Sequence, residues 1–134
     1  MKHKLVYTLF MLAVVLVTGS SFRADKPSEL AKIMKQMLVF IQQEKAGIEM
    51  NKPARQFPYD TRKISKAKVT PGKKQAKEHT QYVAVFFEEL GNYYQANDMV
   101  ERKAMFNTMV NSCVNCHLHE CPGPVPVIKK NLFE

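Results

Sequence analysis

The stretch CVNCHLHEC, residues 113 to 121, gathers all three cysteines and two of the four histidines of a 134-residue chain. Side chains of these types at this spacing could do three kinds of chemistry. Cys113-Val114-Asn115-Cys116-His117 fits C-x-x-C-H, the attachment sequence for c-type haem. Each thiol would add to one of two vinyl groups on the same porphyrin edge, and the adjacent imidazole would then be held where it reaches the iron. Cys113, Cys116 and Cys121 with His117 or His119 would instead make a Cys3His zinc set. The Cys113–Cys116 pair alone would suit disulfide exchange, provided one sulfur ionises easily.

The surroundings rank these readings. Structural zinc usually draws ligand pairs from two separated knuckles, whereas all these ligands lie on one short stretch that begins inside a helical pattern. Disulfide exchange favours the N-terminus of a helix, where the dipole lowers the thiol pKa, and here the pair falls near the C-terminal end. An odd number of cysteines leaves one thiol over in a pure disulfide framework, and two cysteines three apart in a helix cannot bridge as a fold-stabilising staple. Haem attachment is therefore the expectation, with His117 as the iron ligand.

The start of the chain supports it. MKHKLVYTLFMLAVVLVTGSSFRAD carries Lys2 and Lys4, a nearly unbroken apolar run from Leu5 to Val17, and small residues from Thr18 to Ser21. That is the layout of a secretory signal peptide, and the run is shorter than the roughly 20 residues a membrane-spanning helix needs. Cleavage between Gly19 and Ala24 is expected, giving a signal peptide at 1–24 and an exported, periplasmic domain at 25–134. An oxidising compartment favours covalently finished cysteines over exchangeable ones. Of 20 basic residues, losing Lys2, Lys4 and Arg23 leaves 17 against 12 acidic, a net charge of +5. Between Lys52 and Lys77, nine basic residues face only Asp60. Such a block is usually a solvated surface; it also suits an acidic partner, or counter-charge for haem propionates. Export fits nucleic-acid binding poorly, and no membrane span is expected after cleavage.

The elements that must position the cluster are helical. Leu30, Ile33, Met34, Met37, Leu38 and Ile41 mark one face of a first helix, with Pro27 in its first turn, Asp25 or Ser28 as cap, and an end near Asn51-Lys52-Pro53. Pro53 to Gly72 reads as a linker with at most a short helix around Thr61 to Lys68. The pattern returns after Lys73, with Val83, Phe86, Phe87, Leu90 and Tyr94 on one face, Tyr82 and Tyr93 beside them, and Gly91 as a mark of close packing. Asp98 and Glu101 form a capping-box pair before a last helix. That helix carries Phe106, Met109, Val110, Cys113 and His117 on one face, so the cluster points toward the core. Pro122, Gly123, Pro124 and Pro126 then break it. No strand pair is legible, and three long helices with a short fourth predict an all-α bundle.

A leading helix with internal methionines, a helical bundle and C-x-x-C-H on the last helix resemble the class II c-type cytochromes, the cytochrome c' and cytochrome c556 group. The resemblance implies an antiparallel four-helix bundle of the cytochrome c' type, here with a shortened second helix, and one covalent haem c. In low-spin members a first-helix Met is the second axial ligand, within a pattern like KIMKQM at residues 32–37. That implies Met34, with Met37 one turn away as runner-up, although methionines at helical spacing are commonly core filler. In the cytochrome c' members the distal position is open and takes small gases. Phe86, Phe87, Phe106 and Met109 are expected to surround the haem. His79 and His119 are weaker candidates for the distal position: His119 is expected to be exposed or to lie behind the ligands, and His79 to face solvent. The tail with Cys121 is additional to the family pattern. The function implied is single-electron transfer rather than enzymatic turnover, with acidic redox proteins as partners and a homodimer left open. A gas-binding haem protein is the alternative, and a zinc-binding Cys/His module the third reading.

Overall fold

The computed structural model describes residues 26–134. The expected signal peptide, and Asp25 as a cap, lie outside the described residues. Five helices follow in order: α1 (Glu29–Glu49), α2 (Thr61–Ser65), α3 (His79–Gln95), α4 (Met99–Glu120) and α5 (Val125–Lys129). The described residues contain no strand, so the fold class is all-α.

Ser28 caps α1, its Oγ accepting the Ala31 N–H at 3.1 Å, so Pro27 precedes the helix rather than entering its first turn. Ile33, Met37, Phe40, Ile41, Gly47 and Ile48 form its buried stripe. The chain leaves α1 through Asn51, whose φ of 53° is left-handed, a conformation asparagine tolerates better than most residues.

Residues 53–72, expected as a linker poor in apolar side chains, form a cover clamped onto the core. Phe57 is buried and meets Phe40, Phe86 and Phe87 edge-on, with ring centres 5.0, 5.3 and 5.7 Å apart. Its N–H donates to the Tyr94 hydroxyl at 2.8 Å, and that hydroxyl donates to the Arg55 carbonyl at 2.8 Å. Ile64 and Ala67 bury behind it. α2 is the short helix of this cover, capped by Asp60, which accepts the Lys63 N–H at 2.7 Å.

The helix beginning after Lys73 starts at His79. A turn at 96–98 reverses the chain, and α4 packs along α3 over much of its length, whereas α1 meets α4 more lightly. Asp98 caps α4 by accepting the N–H groups of Val100 and Glu101, both at 2.8 Å. Glu101 returns its carboxylate to the N–H of Asn97 rather than Asp98, so the box closes one residue early. Tyr93 and Val114 are buried where Tyr94 and Cys113 were expected to lead, and Tyr94 is partly exposed. Gly91 is not a close approach, since a Cβ there would meet nothing within 4 Å.

The two ends of the bundle differ in character. At one end Glu44, 1% exposed, accepts from the Tyr93 hydroxyl at 2.6 Å and the Arg55 N–H at 3.2 Å. Arg102 Nη2 donates to the same Tyr93 hydroxyl at 2.9 Å. This network ties α1, α3 and α4 together with every polar group paired. The proline-rich tail is also tied down. The Phe133 ring lies 5.5 Å from that of Phe106, and the Phe133 backbone and Asn107 amide exchange hydrogen bonds of 2.8 and 3.0 Å. No helix among the described residues is long and apolar enough to cross a membrane.

Candidate functional site

The other end of the bundle opens into a narrow cleft of about 560 Å³ of space between side chains, part of it open to solvent. α1 contributes Met34, Met37, Leu38 and Ile41, α2 Ile64, α3 His79, Tyr82, Val83 and Phe86, α4 Ser112, Cys113, Cys116 and His117, and α5 Ile128. All the residues of C-x-x-C-H that could do chemistry thus face the same space as the two first-helix methionines.

Local helix geometry explains how α4 presents them. Cys113 and Cys116 are one turn apart, and Cys113 and His117 are four residues apart, so each pair has Cβ atoms about 5–6 Å from one another on one face. Ser112 donates to the Met109 carbonyl at 2.7 Å, and the Cys113 thiol lies 3.7 Å from the same oxygen. Burial pushes the Cys113 thiol up to about 12, helped by the neighbouring Cys116, and burial does the same to Cys116, helped by Glu120. Both sulfurs are therefore neutral thiols at physiological pH. A reactive exchange thiolate is disfavoured there.

His117 is oriented by the end of its own helix. Its Nδ1 lies 3.2 Å from the Cys121 carbonyl oxygen and 3.2 Å from the Cys121 sulfur. The carbonyl can only accept, so these partners assign the proton to Nδ1 and leave the Nε2 lone pair for a metal. Cys121 thus has a place: its backbone closes α4, its N–H donating to the His117 carbonyl at 3.0 Å, while its side chain is exposed.

Several expected residues sit elsewhere. Phe106 is fully buried but does not line the cleft; it packs on Tyr93 and Phe133, because α4 turns its N-terminal half toward the polar end of the bundle. Met109 is likewise buried outside the lining, and Phe87 belongs to the Phe57 cluster. Phe86 does line the cleft. His119 is exposed, stacked on Tyr82 with ring centres 5.8 Å apart and its Nδ1 2.8 Å from the Asn115 carbonyl. Among the described residues no three His, Cys, Asp or Glu side chains converge on a point that could hold a metal ion, so the Cys3His set does not assemble.

The clearest departure is His79. Expected at the solvent, it is 4% exposed and lines the cleft. Its spacing carried the signal: His79, Tyr82, Val83 and Phe86 fall at i, i+3, i+4 and i+7, one face of α3.

The residues present fit haem c. Two thiols and an imidazole with a free Nε2 share one helix face, thioethers and aliphatic side chains line the space, and one buried imidazole nitrogen in the cleft, Nε2 of His79, has no partner in the protein. Compared with protein-family models, with curated proteins and with solved structures, the chain matches none.

Proposed function

We propose that this chain is an exported, periplasmic monohaem c-type cytochrome that carries single electrons, without enzymatic turnover. The observation that supports it most is that Cys113, Cys116, His117, Met34 and Met37 line one cleft. In this reading Cys113 and Cys116 hold the porphyrin through thioethers, His117 ligates the iron through Nε2, and Met34 is the second ligand. Bound haem supplies one-electron chemistry. The protein's residues set its conditions. Leu38, Ile41, Val83 and Phe86 give the cleft apolar walls, and a thioether ligand beside such walls favours the ferrous state and a higher potential.

The helix order also supports kinship with the class II c-type cytochromes and a four-helix bundle of the cytochrome c' type, in which α2 is the shortened second helix. The exposed basic residues between Lys52 and Lys77 would steer the protein toward acidic redox partners.

A five-coordinate, gas-binding protein is the second reading. Met34 and Met37 both pack against the hydrophobic core, so packing alone could account for their positions. The Met34→Ala variant decides between the two. Electron transfer predicts a low-spin wild type indifferent to carbon monoxide and a variant that becomes high-spin and takes up the gas. A wild type that is already high-spin and binds the gas establishes the open distal site instead.

A further inference from the structure

The histidine on α3 has no role in the reading above, and its environment is that of a group built to meet an anion. His79 Nε2 is buried without a hydrogen-bond partner, in a side chain 4% exposed that lines the cleft. Native proteins seldom leave such an atom orphaned. It stands at the first residue of α3, a 17-residue helix whose N-terminus has no side-chain cap and no acidic residue in its first turn. Backbone N–H groups there concentrate positive potential. Lys73, Lys74 and Lys77 precede it, with Glu78 and Glu120 as the acidic neighbours, Glu120 accepting the Ala76 N–H at 3.4 Å.

The Ala76–Glu120 bond and the stacking of Tyr82 on His119 set the start of α3 against the end of α4. Met34 and Met37 reach the same cleft from α1.

We propose that His79 donates its Nε2–H to a haem carboxylate, with the open N-terminus of α3 as the supporting positive field. The inference rests on the haem reading above. It assigns a positioning residue for one carboxylate of the ring, whose vinyl edge is held by Cys113 and Cys116.

The test compares wild type, His79→Leu and His79→Gln, all produced in a haem-maturing host. Resonance Raman spectra report the propionate bending mode, and visible spectra report the spin state. All three proteins should share the wild-type spin state. The leucine variant should show a shifted propionate mode and a lower midpoint potential, because an uncompensated carboxylate stabilises ferric iron; glutamine, which keeps an N–H donor, should restore both toward wild type. An unshifted propionate mode in the leucine variant overturns the proposal. So does a change from low to high spin, which would make His79 an iron ligand. Should the leucine variant fail to retain haem, the wild type labelled with 15N-histidine decides: a slowly exchanging His79 Nε2–H in the reduced protein supports the contact, and a freely exchanging one overturns it. A wild type that takes up no haem at all defeats the haem reading itself, and is seen before any variant is compared.

Discussion

Glu44 shows how single side chains divide the labour in this molecule. Its carboxylate is almost wholly buried and is held by Tyr93, by the Arg55 N–H and by the nearby Arg102 guanidinium, 3.8 Å away. Removing one partner from a buried charged network strands the rest, so Glu44→Ala should cost about 3–5 kcal/mol in urea unfolding. Tyr93 adds a pH dependence. Burial, and then its hydrogen bond to Glu44, push the phenol well above its ordinary value of 10.0. A group whose folded pKa is raised contributes stability that is fully present below its unfolded pKa and is lost as pH rises. Stability should therefore fall above about pH 10. The Tyr93→Phe variant should be less stable at neutral pH but lose less between about pH 8 and about pH 11. Legibility differed between residues for a physical reason. That Cys113, Cys116 and His117 share one cleft could be read because they stand within five residues on one helix face. The burial of His79 depends on how the start of α3 meets the end of α4, although its place on the apolar face was visible in the spacing.

The three long helices were legible as elements because their apolar stripes repeat over about three turns each, and such repetition outweighs any single ambiguous residue. The segment 53–72 was not. Its fixing contacts come from distant chain, with Phe57 meeting Phe40 on α1 and Phe86 on α3, and a lone phenylalanine between prolines has no period to reveal it. This cover is a stability element, so Phe57→Ala should cost about 3–5 kcal/mol, the range for emptying a buried aromatic site, measured by thermal unfolding. Gly91 misled in the opposite direction. It lies inside α3 with open space where a Cβ would go, so Gly91→Ala should stabilise the protein by about 1 kcal/mol with no change in the spectrum of the bound group. A Gly91→Ala variant that lost stability would mean that α3 does pack closely there.

At the scale of the whole molecule, the polar network of Glu44, Tyr93 and Arg102 secures one end of the bundle and leaves the cleft at the other. The all-α class could be read from periodicity alone, but the division into a paired polar end and an end with a cleft could not, because it follows from the antiparallel register of α3 and α4. The basic surface belongs to this scale too. Lys52, Arg62 and Lys66 are exposed, and reversing all three charges should slow reduction by an acidic redox protein on the order of tenfold at low salt, with the difference shrinking as ionic strength rises. Every one of these functional expectations depends on whether Cys113 and Cys116 carry haem. The most direct measurement is the mass of the protein made in a haem-maturing host, after full denaturation, taken with its alkaline pyridine spectrum. One haem retained through denaturation, lost entirely in the Cys113→Ala/Cys116→Ala double variant, is the predicted result. A protein whose mass is that of the bare polypeptide with both thiols free, from a host that attaches haem to a control cytochrome, would contradict it.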